Sequence, residues 1–244
     1  MGYKYDDHVV FNAEIEIEHA STGKRGEVSL EFGYVDLLVD PAVNVRMGLV
    51  LVPMGFVNEL HEPPTFLGAN RPETERRIIP TTWRANGLGI FGKPDEHVAG
   101  LSYRAYVIES LASVASGSRT EKFSASGLRG GRQKGSKALV EDVAGVLRAD
   151  YESHGALIGG SVFFGNTAQG RLVEGDEADE EFDGFTSIFE GHLQVRHRGL
   201  SFRALVAAAD VDEAEKINRA NGFTGTESVG STLLGWYVEA GYDV

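Results

Sequence analysis

The side chains with the most chemical potential sit in one segment, HEPPTFLGANRPETERRIIPTTW, residues 61–83. It opens on a His61-Glu62 pair, the two residue types that a hydrolytic zinc site combines on one helix. That chemistry needs a second histidine four residues on, and Pro63 and Pro64 forbid the helix that would carry it. The remaining histidines (His8, His19, His97, His154, His192 and His197) are scattered, with no i,i+4 pair among them. Carboxylate pairs for acid–base work can be drawn from Glu59 with Glu62, or Glu73 with Glu75, but acidic pairs in polar loops are ordinarily solvated. A nucleophile elbow and a phosphate-binding loop are both missing. GLGIFG, residues 87–92, begins like a dinucleotide fingerprint but follows a loop instead of a strand. No cofactor or metal is expected, and a non-enzymatic role is favoured. A metal-dependent hydrolase built on His61 and Glu62 ranks last of three readings.

The elements that would position this segment are strands. Alternation with period 2 dominates: Ala13, Ile15 and Ile17 oppose Glu14, Glu16 and Glu18, and Val28, Leu30 and Phe32 oppose Glu27, Ser29 and Glu31. Val45, Met47, Leu49 and Leu51 repeat the device against Arg46 and Gly48. Seven further stretches, at 86–92, 100–110, 138–151, 156–165, 186–196, 199–210 and 230–244, bring the expectation to about ten strands. A short helix is expected only within 211–222, ending at Gly222. Connections alternate in length. Short turns at DPA, KPDEHVAG, ESHG and RHRG are interleaved with long polar segments near 53–85, 111–137, 166–185 and 210–229. An up-and-down transmembrane barrel needs this order, with short turns at one rim and long loops at the other. A soluble sandwich mixes connection lengths less regularly. A near-repeat, GLSYRAYV (100–107) and GLSFRALV (199–206), places Arg104 and Arg203 on the polar faces of their strands. Those arginines would meet solvent in a sandwich and the lumen in a barrel.

Composition sets outer bounds. The 244 residues carry 23 Lys+Arg against 36 Asp+Glu, a net charge of −13 that disfavours nucleic acid as a partner. Cysteine is absent, which removes disulfides and thiol catalysis. No apolar run reaches the roughly 18 residues of a membrane helix, whereas barrel strands need only about 9–11 alternating residues. MGYKYDDHVV has no basic region followed by an apolar stretch, so no signal peptide is read at the start of this chain.

The run RMGLVLVPMGFVNELHEPPTFLGANRPETERRIIPTTWRANGLGIFG, residues 46–92, resembles a signature region of porin-like outer-membrane proteins. These belong to the broad group related to the phosphate-selective porins of Gram-negative bacteria. FNAEIEIEHA, GLSYRAYV, GALIGGSVFFGNTAQG and GWYVEAGYDV are similar in the same order, so the likeness spans essentially the whole chain, residues 1–244, as a single, partial barrel domain. The resemblance implies an all-β, antiparallel transmembrane barrel with short periplasmic turns and long extracellular loops. It implies passive passage of small hydrophilic solutes or ions, a homotrimer, and contact with outer-membrane lipid and lipopolysaccharide. It makes 53–85 a loop that folds inward and narrows the pore. Positive charge there comes from Arg71, Arg76, Arg77 and Arg84, and negative charge from Glu59, Glu62, Glu73 and Glu75. Arg46, Arg104, Arg148 and Arg203 become candidates for the barrel wall. Mixed charge of this kind gives a transverse field without an ion preference, so phosphate selectivity is not carried across.

Other roles compete for the same residues. Arg76 and Arg77 can simply pair with Glu73 and Glu75 in a surface loop, and Trp83, Trp236, Tyr103 and Phe202 can be interfacial girdle residues or ordinary packing. The acidic run VEGDEADEEFDG, 173–184, reads as a solvated external loop. With about ten strands and no leader, the chain is expected to be a piece of a larger barrel. The second reading is a soluble jelly-roll module that binds carbohydrate at its long loops; it requires the faces of Ile15, Leu49 and Val206 to bury one another.

Overall fold

The computed structural model describes residues 1–18, 26–60, 67–173 and 179–243. The strands are β1 Gly2–Lys4, β2 Val9–Glu18, β3 Glu27–Asp40, β4 Val43–Leu51, β5 Arg84–Gly92, β6 Leu101–Glu109, β7 Val143–Ser153, β8 Ala156–Gly165, β9 Leu172–Val173, β10 Glu180–Glu181, β11 Thr186–His197, β12 Leu200–Val211 and β13 Thr232–Tyr242. Two short helices, α1 Glu73–Arg77 and α2 Ala214–Ala220, lie in connections. Eleven strands form one sheet in the order β1 to β8, then β11, β12 and β13, while β9 and β10 pair separately. Neighbours in the large sheet are antiparallel throughout. Among the described residues β1 and β13 do not meet, so the sheet is an open meander.

The local chemistry of the turns fixes this order. His154-Gly155 and Arg198-Gly199 each join two strands with φ of 50° and 79°, and 48° and 83°. Two consecutive positive φ values make the hairpin turn whose twist matches that of the strands, and glycine makes its second position inexpensive. The long connections, residues 52–83, 110–142, 166–185 and 212–231, all leave the opposite rim.

The two faces of the sheet are reversed relative to a soluble protein. Ile15 (59% exposed), Ile158 (59%), Val206 (48%), Leu234 (72%) and Trp236 (70%) stand on one face in open contact with the surroundings. The cross-strand register puts them in a continuous band: Leu88 opposite Val107, Leu147 opposite Val162, and Val206 opposite Trp236. The other face carries Asp36, Arg46, Arg148, Asp150, Glu190 and His192, all buried or half-buried. An apolar exterior around a charged interior suits a hydrocarbon surrounding, and main strands of 9 to 14 residues are long enough to cross it. The alternative sandwich reading is corrected here: Ile15 and Val206 bury nothing against each other, because among the described residues no second sheet covers that face.

The apolar core lies inside the curve of the sheet, near the long-loop rim. Val50, Ile108, Val146, Phe163, Ile188, Ala207 and Ala209 from the wall pack there with Met54, Ile79, Trp83, Leu111, Phe123, Leu128 and Ile217 from the connections. Trp83 is packing rather than girdle: it is buried, its ring edge-on to Phe163 at 5.0 Å. Tyr151 and Tyr242 are exposed on the apolar face near the short turns.

If the exposed band meets lipid, Val206→Arg should reduce folding stability in a bilayer by about 2–4 kcal/mol. Gln194→Arg, on the polar face, should cost far less. Urea titration in lipid vesicles measures both, and equal costs would contradict the assignment of faces.

Candidate functional site

The chain leaving β4 turns inward at once. Asn58 fixes that course: its Nδ2 donates to the carbonyls of Val52 and Trp83 at 2.6 and 2.9 Å, and its Oδ1 accepts from Trp83 N at 2.7 Å. One buried amide therefore ties together the two ends of the 52–83 connection. Within it, Pro72 precedes α1, with Glu73 and Glu75 in the first turn and Arg76 and Arg77 in the last, an order that complements the helix dipole. This helix seats against Gly235 of β13, where a Cβ would come within 2.9 Å of Thr74 Oγ1.

Glu75 joins helix, inner loop and wall. Val57 N donates to its Oε2 at 2.7 Å, and the Tyr237 hydroxyl of β13 donates to its Oε1. Gly55, at φ 66°, passes so close that a Cβ would lie 2.4 Å from the same Oε2. The carboxyl is fully buried and no cation pairs with it in the described residues. Burial, assisted by the charge of Glu190 and opposed by these hydrogen bonds, pushes it up to about 7.

Beneath the inner loop, six ionisable side chains form a chain of contacts. Ser161 Oγ donates to Glu190 Oε2 at 2.7 Å; His192 Nδ1 lies 2.6 Å from Glu190 Oε1, and its Nε2 lies 2.8 Å from Asp150 Oδ1. Arg148 Nε donates to Asp150 Oδ2 at 2.8 Å and Arg148 Nη1 to the Gly55 carbonyl at 2.6 Å. Glu59 of the loop reaches Arg104 at 3.4 Å and Arg148 at 3.8 Å, and Arg104 reaches Asp150 at 3.3 Å. Carboxylates only accept, so a ring flanked by two of them holds a proton on each nitrogen. Three anions then face three cations, and the set is neutral. Gly159 makes the approach feasible, since a Cβ there would stand 2.3 Å from Asp150 Oδ1 and 2.6 Å from His192 Nε2. Phe56 closes the group from above, its ring 4.7 Å from that of His192.

This network floors a polar cavity of about 880 Å³ that opens toward the short-turn rim. Glu59, Arg104, Arg148 and Arg203 line it, with Lys93, Asp95 and Glu152 farther out. Of the residues expected to act together, these four are brought to one place. Arg203 donates to Gln194 Oε1 at 2.9 Å, with Phe56 5.5 Å below its guanidinium. Arg46 also projects from the polar face, but it is held by Asp36 at 2.7 and 2.9 Å with Tyr34 3.8 Å away, apart from the cavity.

The other charges of the 53–85 segment lie elsewhere. Arg76 and Arg77 pair with Glu73 at 2.9 and 2.5 Å on the exposed side of α1. Glu75 is an anchor within the loop. Arg84 is buried at the rim with Glu31, on the face of Leu88 and Ile90. Arg71 is half-buried before α1, near enough to Arg129 and Arg132 to act on their charge. Glu62 and His61 fall outside the described residues.

Sequence reading missed Asp150, Glu190 and His192. Their signal was present, since ADY and FEGHLQ place acids and a histidine at alternate positions of apolar strands. A polar residue on the inner face of a barrel strand looks the same as one on the wet face of any sheet.

No family model matches the chain. An uncharacterized protein of Aquifex aeolicus (strain VF5) is 37% identical over 222 residues, which is 89% of this chain and 47% of that protein. The chain thus spans about half the length of this curated relative. Among solved structures, Pseudomonas aeruginosa OccK8 (OprE) is similar at 12% identity over 98% of this chain and 70% of its own, with a TM-score of 0.35. The outer-membrane protein OmpT of Vibrio cholerae, folded in vitro and in trimer form, is similar at 10% identity over 99% and 88%, with a TM-score of 0.30. Scores this low carry no argument, so the fold rests on the pairing and faces described above.

Two outcomes follow from the geometry. Glu75 binds its proton more tightly folded than unfolded, so its contribution to stability is greatest below its ordinary value of 4.5 and is lost as pH rises through about 7. The loss is on the order of 3 kcal/mol. Glu75→Gln should flatten that pH dependence in thermal unfolding and leave the variant at least as stable as the parent at pH 8. Asp150→Ala, which strands Arg148 and His192, should cost about 3–5 kcal/mol in the same assay.

Proposed function

We propose that this chain forms wall and inner loop of an outer-membrane β-barrel channel through which small hydrophilic solutes or ions diffuse. The observation that carries the reading is the reversal of the sheet's faces: an unbroken apolar exterior and a charged, cavity-bearing interior. A soluble binding module gains nothing from exposing Leu234 and Trp236, and a contiguous apolar surface of this kind marks a membrane or a partner. Within this reading β1 and β13 pair with further strands to complete the cylinder, because unpaired backbone groups cost several kcal/mol each in lipid. The reading includes a homotrimer and contact with lipopolysaccharide, as the family resemblance implies.

The inner loop supplies the constriction. Its backbone at Gly55 and its carboxylate at Glu59 are tied to Arg148 and Arg104, so acidic and basic groups face one another across the polar space. A solute crossing there meets a transverse field instead of a single sign of charge. No catalytic step is assigned to this cavity: a channel needs the field and the water-filled space alone.

Reconstitution of the complete protein in planar bilayers tests the reading. Discrete conductance steps are expected, and Glu59→Gln should shift the reversal potential in a salt gradient toward anions by removing the loop's negative charge beside Arg104 and Arg148. Absence of steps from correctly folded protein would overturn the channel assignment. Steps with an unshifted reversal potential would place Glu59 outside the conducting path.

A further inference from the structure

One group of charges is left unexplained by the channel. At the long-loop end of β3 to β5, Arg132 stands near enough to Arg84, Arg129 and the Glu31 carboxylate to feel the charge of each. Arg84, the first residue of β5, pairs with Glu31 through Nη1, yet its Nε is buried and has no hydrogen-bond partner, and neither has Oε2 of Glu31, so a bound anion must approach from the side of Arg129 and Arg132. The residue is 7% exposed, so water does not readily fill that role. Arg132 donates through Nη1 to the carbonyls of Thr81 and Thr82 at 2.6 and 2.9 Å and to Thr82 Oγ1. Arg129 donates to the carbonyl of Thr81 and, at 3.3 and 3.4 Å, to the hydroxyls of Thr81 and Thr82. All of these acceptors are neutral. Among the described residues no carboxylate lies within ion-pair distance of Arg129 or Arg132, and Arg71 stands near enough to add to the field.

Among the described residues the charge is therefore uncompensated. Three guanidinium groups against one carboxylate leave a surplus of two positive charges in a half-buried place. Burial first, then the neighbouring arginines, depresses Arg132 to about 9. An arrangement so unfavourable when empty is matched by a doubly charged oxyanion, which meets planar guanidinium forks with paired hydrogen bonds. Position narrows the source. Arg84 shares its face with Leu88 and Ile90 by strand alternation, so the cluster stands at the end of the outward apolar band and away from the polar cavity. That is the level at which a lipid headgroup lies.

We propose that Arg84, Arg129 and Arg132 form a site on the outer rim for a phosphate monoester, supplied by the headgroup of a membrane lipid. The oxyanion takes the unpartnered Arg84 Nε and the free N–H groups of Arg129 and Arg132, and so locks the 110–142 connection against β5. The anion site stands on these residues alone; its lipid source rests on the membrane reading.

Binding is measured on the complete protein in lipid nanodiscs, by fluorescence-detected unfolding and by phosphorus NMR of the added probe. Inorganic phosphate should raise the unfolding midpoint, and discs doped with phosphatidic acid, whose headgroup is a phosphate monoester, should raise it further than discs of phosphatidylcholine alone. Arg129→Gln with Arg132→Gln should weaken both effects by about tenfold or more. The single variants Arg129→Lys and Arg132→Lys keep the charge and serve if the double variant does not fold; each should retain binding with reduced selectivity for phosphate over chloride. A response to inorganic phosphate without one to phosphatidic acid would overturn the lipid source while keeping the site. No response to either probe, or responses unchanged in the variants, would overturn the site itself. Neither result bears on conductance, so the two assignments fail separately.

Discussion

Each long strand presents exposed apolar side chains on one side and charged or core-packed side chains on the other, and this constraint organises the whole molecule. Period-2 alternation meets it residue by residue: Val206 and Ala208 face outward from β12, while Arg203 and Leu205 face inward. Sheet order, turn lengths and the destination of the long loops then follow. A meander closes no gap within its own interior, so the space inside the curve has to be filled or left wet. Here the 52–83 and 110–142 connections fill it with an apolar core at one rim, and the residues from Glu59 to Glu190 line it with charge below.

The boundary between these two halves is where structure and chemistry are coupled. Glu75 and the Arg148–Asp150–His192–Glu190 chain hold the same short segment, Gly55 to Glu59, from opposite sides. Buried charge of this sort contributes little net stability, because desolvation offsets most of the attraction. What it does is specify one position for the loop, since any other leaves several charges unmatched. Protonation of Glu75 near neutral pH acts on that same clamp.

Strands and turn lengths were legible in the sequence because both depend on local chemistry. Ile15 and Leu30 alternate with polar neighbours, and His154-Gly155 and Arg198-Gly199 write their turns in two residues each. The short helix expected within 211–222 is α2. The helix α1 was not legible: five residues leave no amphipathic period to detect, and Pro72 reads equally as a loop residue. The site was half legible. Arg104, Arg148 and Arg203 were read from strand position and meet at one cavity, whereas Glu59, which joins them there, and Glu75, Arg76, Arg77 and Arg84, which do not, were all read alike from the 53–85 segment. Position along the chain does not say which side of a loop faces inward, and burial separated these charges by packing Thr74, Glu75 and Ile78 beneath α1.

The assignment of lipid and lumen to the two faces is the claim on which the rest stands, and the absence of cysteine makes it directly measurable. Single cysteines along β12, from Leu200 to Val211, would carry nitroxide labels in protein reconstituted into vesicles. Collision with oxygen, which concentrates in hydrocarbon, should be high at positions 202, 204, 206 and 208 and low at 203, 205 and 207. Collision with a water-soluble nickel complex should be suppressed at the first set. High nickel accessibility at 204, 206 and 208 would show an aqueous exterior and contradict the account.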